Sequence, residues 1–312
     1  MKVIVTGGAG FIGSALLRHL RASGVDSVVA FDNLNSGHRH NLPDGDPGVS
    51  LILGDIRDYE AVCAAFAGAE YVFHLAAIPS VPRSINDPVP SHDVNINGSF
   101  NVFRAAQHCG VRRVVYAASS SAYGDTPTLP KLESMLPNPK SPYAAQKLMG
   151  EYYASVFTSC FGLETVSLRF FNVFGPRQDP GSPYSGVLSL FMKALIEGKS
   201  PTIFGDGEQS RDFTYVEDVA ALIYKAALAP AVSGMVFNAG NGNRYTLNQT
   251  WDLLKQIAGS DLAASYGPPR PGDVRDSQAD TTLAGQYLNH APQFTFEEGL
   301  RRTFQWYRET LA

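Results

Sequence analysis

The 312 residues hold few cysteines, no dominant charge and no long apolar run, and each shortage excludes something. Cys63, Cys109 and Cys160 lie far apart in helix-like stretches, so neither a disulfide framework nor a Cys-x-x-Cys zinc site is indicated. They read as buried thiols of a reducing compartment. Lys and Arg number 25 against 29 Asp and Glu, a formal charge of −4, and the basic residues form no stripe with interleaved aromatics. Without a positive field for a polyanion, nucleic acid is not an expected partner. No apolar run approaches the ~20 residues needed to cross a bilayer. The strand-like Lys2–Thr6 runs straight into glycines, without the basic and apolar regions of a signal peptide. No membrane association is expected, and the expected location is the cytoplasm. The seven histidines show no metal-ligand spacing, so surface or packing roles and no metal site are expected.

What is present is an ordinary globular balance, 44% hydrophobic and 17% charged, with 29 Gly and 20 Pro that suggest many tight loops. Short β-branched runs at Val3–Val5, Val28–Phe31, Leu51–Leu53, Tyr71–Leu75, Val114–Ala117 and Thr165–Phe170 predict strands. Their near-continuous apolar character predicts burial on both faces, as in a parallel sheet. Between them, Gly13–Leu20, Tyr59–Phe66 and Gly98–His108 carry apolar residues near helical spacing. This βαβ series predicts an α/β fold, a doubly wound parallel sheet of Rossmann type. After Phe171, Pro- and Gly-rich pieces separate helices near Val187–Ile196, Val219–Leu228 and Leu247–Ala258. A smaller, loop-rich substrate domain is expected over 173–312, following a cofactor domain over 1–172 that a segment near 212–242 rejoins.

Thr6-Gly7-Gly8-Ala9-Gly10-Phe11-Ile12-Gly13 follows the first strand and opens a helix, the context in which a glycine motif has physical meaning. Glycines permit the tight turn, close approach of a pyrophosphate to the backbone, and packing of helix on strand. The helix N-terminus then offers unpaired N–H groups and partial positive charge to phosphates. Asp32 ends the second strand, where an acid bonds an adenosine ribose hydroxyl and repels a 2′-phosphate. The motif therefore points to NAD rather than NADP. A Walker loop is excluded, because Gly198-Lys199-Ser200 has Lys193 where the first glycine is needed.

Tyr143 and Lys147 are four residues apart after Pro142, which can begin a helix, so they share a helical face. A neighbouring ammonium and a cationic nicotinamide would favour the phenolate of a tyrosine that normally ionises near pH ~10. The pair lies downstream of a strand ending in Ser119-Ser120-Ser121, whose hydroxyls would open at the cofactor crevice and bond a reacting alcohol.

At this point the sequence resembles the extended short-chain dehydrogenase/reductases, specifically the nucleotide-sugar 4-epimerases of the UDP-glucose 4-epimerase group. The resemblance rests on Thr6–Gly13, Asp32-Asn33-Leu34, Gly54-Asp55-Ile56, His74-Leu75-Ala76-Ala77, Asn95-x-x-Gly98, Ser119, Tyr143-x-x-x-Lys147, Arg169-Phe-Phe-Asn172, Gly205-Asp206-Gly207 with Arg211-Asp212, and Arg270-Pro-Gly-Asp273. It implies a tightly held NAD that accepts and returns a hydride at C4 of a UDP-hexose. Ser119, Tyr143 and Lys147 would be catalytic, with Ser120 and Ser121 at the sugar. Gly7, Gly10, Phe11, Ile12, Gly13, Asp32, Asn33, Asp55, Ile56, Leu75, Ala76, Ala77 and Asn95 would complete the NAD site. Asn172, Val187, Arg211, Arg270 and Asp273 would hold the UDP part, the two arginines at its pyrophosphate. A homodimer through Gly98–His108 and Ser141–Phe157 is implied by the same resemblance.

Dehydratase relatives need an acid pair directly after the catalytic hydroxyl, and decarboxylases a glutamate there, whereas here Ser119 precedes Ser120, Ser121 and Ala122. Epimerisation needs neither. Ser277 falls where glucose-restricted relatives place a bulky tyrosine, leaving room for a 2-acetamido group, so UDP-glucose/UDP-galactose and UDP-GlcNAc/UDP-GalNAc are both expected. Arg83 suits a C6 carboxylate, which keeps a UDP-glucuronate 4-epimerase as an alternative. A non-catalytic, nucleotide-sugar-sensing relative would typically lose the Tyr or the Lys, and both are present.

Overall fold

Each β-branched run of the first half forms a strand in the computed structural model, which describes residues 1–179, 186–269 and 274–311. The strands are β1 (Lys2–Thr6), β2 (Ser27–Asp32), β3 (Val49–Leu53), β4 (Tyr71–His74), β5 (Arg113–Ser119) and β6 (Glu164–Phe170). Short strands β7 (Asn172–Phe174), β8 (Thr202–Phe204), β9 (Ser210–Arg211) and β10 (Phe213–Tyr215) lie outside this sheet, and β11 (Met235–Ala239) rejoins it beside β6. The order β11-β6-β5-β4-β1-β2-β3, parallel throughout, reverses direction between β1 and β4. A crevice therefore opens outside the carboxyl ends of those two strands.

Helices cover both faces. On one side α1 (Phe11–Ala22) and α8 (Val216–Leu228) bury Leu16, Leu17, Leu20, Val219, Leu222 and Ile223 against the sheet. On the other lie α2 (Tyr59–Phe66), α5 (Ser99–His108) and α6 (Pro142–Phe161), whose core includes Phe66, Phe103 and Phe157. Two short helices, α3 (Val81–Asn86) and α4 (Pro88–His92), and one π-helical turn, Asp93–Gly98, join β4 to α5. A third core is formed largely by α7 (Val187–Glu197), α9 (Leu247–Ala258) and α11 (Phe296–Leu311), with Phe191, Trp251, Leu254, Leu300 and Tyr307 buried. Beside it, β12 (Tyr245–Thr246) pairs with β9 and β13 (Ser265–Gly267) with β8, while α10 (Thr282–Leu288) packs on β11.

Local chemistry sets these boundaries. Ser141 accepts the Ala144 N–H at 3.2 Å, Pro142 occupies the first turn of α6, and Gly162 at φ 70° ends it. Gly150 lies flat against Tyr116: a Cβ there would sit 2.1 Å from the phenolic oxygen, so only glycine lets α6 lie this close to β5.

Three expectations need correction. The run at β3 is not buried on both faces, because β3 is the sheet edge and leaves Leu53 57% exposed. The cysteines are not core thiols, since Cys63 and Cys109 are half-buried and Cys160 is exposed near the end of α6. The strand read as Tyr71–Leu75 ends at His74, as the chain turns under the glycine loop and the Leu75 N–H bonds the Thr6 carbonyl at 3.1 Å.

His74 is fully buried at that turn, with Nδ1 2.8 Å from the Thr6 hydroxyl and Nε2 2.9 Å from that of Ser99. Burial lowers its pKa to about 3, with the Lys147 charge acting in the same direction. The unfolded ring titrates near 6.5, so between these values the unfolded chain binds the extra proton and stability falls as pH drops. His74→Gln should flatten the dependence of unfolding free energy on pH between 6.5 and 4 by up to about 1.4 kcal/mol per unit. Urea titrations at several pH values measure this, and an unchanged slope would exclude His74 as the source.

Candidate active site

The glycine loop lies at the mouth of the crevice. Gly7 has φ 72°, and a Cβ on Gly13 would sit 2.1 Å from the Gly7 carbonyl oxygen, so the first turn of α1 packs directly on the loop. At Gly10, the N-cap of α1, no side chain provides a capping bond, whereas Asp58, Ser80, Ser141 and Thr246 cap other helices. The N–H groups of Phe11, Ile12 and Gly13 thus belong to an open, electropositive helix end. This cradle fits a dinucleotide pyrophosphate, because its helix N–H groups carry no side-chain cap and can be bonded by phosphate oxygens.

Asp32 is at the carboxyl end of β2. Its Oδ2 accepts the Ala9 N–H at 3.0 Å and its Oδ1 the Leu34 N–H at 2.8 Å, so it braces the loop it faces. Each oxygen keeps a lone pair for a ribose hydroxyl. Asn33 donates to Asp55 at 2.9 Å, and the Arg57 guanidinium holds the Asp55 carboxyl well below its usual range. Ile56 is buried and packs on Gly98. Leu75, Ala76 and Ala77 follow β4, with Ala76 backbone against Gly7. Asn95 is spent mainly on the protein: its amide donates to Ile78 O and Gln146 Oε1, and its oxygen accepts the Ile78 N–H at 2.8 Å. It ties the segment after β4 to α6, a role that its position in the motif did not reveal.

Ser119, Tyr143 and Lys147 converge beside this crevice. Ser119 ends β5, with its hydroxyl 2.8 Å from that of Ser121 and accepting the Ser121 N–H at 3.2 Å. Ser120 and Ser121 form the following 3-10 turn. Lys147 is buried, its ammonium donating to the Ala117 carbonyl at 2.9 Å and lying 5.1 Å from the Tyr116 ring centre. Burial lowers its pKa to about 8, against the pull of Glu151 one helical turn on. Tyr143 is pushed up to about 12 by burial, with the Ser119 hydroxyl pulling the other way. Desolvation thus dominates among the protein's own groups. Ser84 on α3 accepts the Tyr143 N–H at 3.1 Å, a contact not apparent in the sequence, and places half-buried Arg83 nearby. Arg169 and Glu151, both buried, pair at 2.8 Å and bind α6 to β6.

Asn172, Val187 and Arg211 line a cleft of about 400 Å³. Asn172 sits in β7, Val187 opens α7 and Arg211 is in β9, which the antiparallel pairing with β12 holds in place. Ser277 approaches the same place, its hydroxyl 3.4 Å from the Asn172 amide nitrogen. Asp212 is buried and accepts N–H groups from Asn241, Gly242 and Ala279 at 2.8, 2.9 and 3.0 Å. Arg270 and Asp273 lie outside the described residues.

Residues 3–240 match the model of the NAD dependent epimerase/dehydratase family. The chain is 38% identical over 313 residues to a UDP-glucose 4-epimerase of Mycolicibacterium smegmatis, with 99% of each covered. A UDP-glucose 4-epimerase from Thermotoga maritima, solved with UDP-glucose, superposes with a TM-score of 0.95 at 39% identity over 100% of both chains. A UDP-N-acetylglucosamine 4-epimerase from Methanobrevibacter ruminantium, in complex with UDP-N-acetylmuramic acid, superposes with a TM-score of 0.95 at 38% identity, covering 99% of this chain and 98% of that one. With a parallel sheet, a glycine cradle and a Ser-Tyr-Lys constellation at one crevice, the chain belongs to the NAD dependent epimerase/dehydratase family.

Proposed function

We propose that this chain is an NAD-dependent epimerase that inverts C4 of UDP-hexoses, UDP-glucose/UDP-galactose and UDP-GlcNAc/UDP-GalNAc, through a transient 4-keto sugar. The reading is supported by Ser119 at the carboxyl end of β5, with Tyr143 hydrogen-bonded to it and Lys147 buried one helical turn on, at the sheet edge where the glycine loop also follows β1. Gly7, Gly10, Phe11, Ile12, Gly13 and Asp32 hold the NAD, with Asn33, Asp55, Ile56, Leu75, Ala76, Ala77 and Asn95 around it. Bound NAD supplies a cationic ring and a reversible hydride acceptor. Tyr143 takes the proton of the sugar 4-hydroxyl and later returns it to the same oxygen on the inverted carbon. Ser119 orients that oxygen, Ser120 and Ser121 flank it, and Lys147 holds the cofactor ribose and stabilises the Tyr143 phenolate. With NAD bound, the added positive charge beside Tyr143 would oppose the effect of burial and let the phenol act as a base near neutral pH.

Asn172, Val187, Arg211, Arg270 and Asp273 hold the UDP part, which stays bound while the sugar turns over. Residues 1–172 with the segment near 212–242 form the NAD-binding part, and 173–312 the UDP-sugar part. The second reading, a UDP-glucuronate 4-epimerase, is favoured by Arg83, which lies one residue from the Ser84 that fixes Tyr143. The enzyme acts as a cytoplasmic homodimer. Its interface is an exposed apolar stripe of Phe100 on α5 with Met149, Tyr152 and Val156 on α6, spaced to share a helix face.

Tyr143→Phe should lower C4 inversion about 10²–10⁴-fold, the usual worth of a general base, while UDP binding is retained. NMR of the C4 configuration with UDP-Glc, UDP-GlcNAc and UDP-glucuronate measures this and decides among the substrates. Wild-type turnover in the variant overturns the role, and accumulation of free NADH without inversion overturns the epimerase reading. Ser277→Tyr should suppress UDP-GlcNAc turnover more than UDP-Glc turnover, and equal losses count against the steric role of Ser277. Tyr152→Glu combined with Val156→Glu should convert a sedimenting dimer to a folded monomer. A wild-type monomer would refute the interface.

A further inference from the structure

Gln146 stands between the two catalytic candidates of α6, three residues after Tyr143 and one before Lys147. Its side chain is buried, as are those of its partners Asn95 and Ser91. The direction of each hydrogen bond among them is determined. The Ile78 N–H can only donate, so it fixes Asn95 Oδ1 as its acceptor at 2.8 Å and turns Asn95 Nδ2 toward Gln146. Gln146 must then present Oε1, which accepts at 2.9 Å, leaving its Nε2 to donate to the Ser91 hydroxyl at 3.1 Å. Ser91 in turn donates to the Pro88 carbonyl at 2.9 Å. One polarised chain therefore runs from the segment after β4, through the π-helical turn and α6, into α4. Beside it a second tether holds the start of α6, the Tyr143 N–H donating to Ser84 Oγ at 3.1 Å and Ser84 donating to the Val81 carbonyl at 2.8 Å. Apolar groups of the same shape in place of these amides and hydroxyls would be close to neutral for stability, so burial alone does not call for the chain. What a fully satisfied buried network adds is a unique alignment of the segments it joins.

We infer that Gln146 is a positioning residue for the catalytic pair, holding the start of α6 in register with the segment after β4 so that Tyr143 meets Ser119 and the cofactor together. The inference rests on the reading of Tyr143 and Lys147 as the base and its partner. Ile78 directly follows Leu75, Ala76 and Ala77, and the Ala76 backbone lies against Gly7, so the chain refers α6 to the same frame as the glycine loop. Misplacing a reacting group by about 1 Å can cost about 10²-fold in rate, which makes a buried link beside Tyr143 consequential for chemistry. The hydrogen bond from Ser119 to Tyr143 opposes the effect of burial, so a loosened Tyr143 ionises at higher pH. Gln146, itself buried, acts only through where it puts its neighbours.

The test measures kcat and KM for C4 inversion of UDP-Glc as a function of pH, with amide hydrogen exchange across α6, on the NAD-loaded protein. Gln146→Met keeps the volume and removes both hydrogen bonds. It should lower kcat about tenfold with KM and NAD content unchanged. The acid limb of the kcat profile should move to higher pH, and amides in the first turn of α6 should exchange faster. Ser91→Ala, which cuts only the far link, should act in the same direction by less. The double variant should be no slower than Gln146→Met, because both changes break one chain. A Gln146→Met protein that is less stable but keeps the wild-type kcat and pH profile overturns the proposal, since that is what a merely structural role predicts. Additive losses in the double variant overturn it as well. If Gln146→Met does not fold, Ser91→Ala carries the test, and an unchanged kcat and profile there overturns the role. Absence of C4 inversion by the wild type is a failure of the epimerase reading itself, whereas inversion by the wild type and equally by the variants is a failure of the role of Gln146 alone.

Discussion

Everything that positions chemistry in this molecule depends on the close approach of backbone to backbone at the glycine loop. Gly13 packs its α-carbon on the carbonyl of Gly7, while Gly7 itself lies against Ala76 at the end of β4. One methyl group at either position would push α1 away from β1 or β1 away from β4, moving the helix end and the sheet crevice apart. The Thr6, His74 and Ser99 hydrogen bonds run just behind this contact and stiffen it without introducing a charge. The loop is thus both a binding surface and a packing joint.

Burial acts on the proposed catalytic pair in a less intuitive way. Lys147 and Tyr143 are each driven toward their neutral forms by the protein, Lys147 to about 8 and Tyr143 to about 12. An enzyme that kept a permanent phenolate would have to pay for a buried anion in every resting molecule. On the proposed role of Tyr143, a tyrosine left neutral until a cation is bound beside it is a base only when the cofactor is loaded.

Much of the architecture was legible in the sequence because its strands are short, β-branched and separated by turn residues, and because the glycine motif stands between a strand and a helix. The expected bounds of α2 and α9 match the structure, where Asp58 and Thr246 cap their first turns. The seventh strand lies inside the segment near 212–242 but was not read as a strand: Met235–Ala239 is five residues long and carries Asn238, whose amide and oxygen are satisfied by Lys131, Asp280 and Tyr123, partners no local pattern reveals. The helix Phe296–Leu311 was present as a spacing of Phe296, Leu300, Phe304 and Tyr307, but its core partners come from distant segments. At the site, Tyr143 and Lys147 could be found from spacing and context. Ser84 and Gln146 act through contacts across 51 to 59 residues, and periodicity carries no trace of them.

The carboxylate of Asp212 joins three pieces of chain that meet nowhere else in sequence: the turn after β11, the segment at Ala279, and the strand that carries Arg211. Arg211 is therefore mounted on the sheet rather than on the outer lobe alone. If that arginine grips the diphosphate, the anchor of the substrate and the atom that reacts are referenced to one rigid frame. The sugar then moves like the arm of a compass whose pivot is fixed, sweeping an arc of constant radius and presenting either face at the same reach.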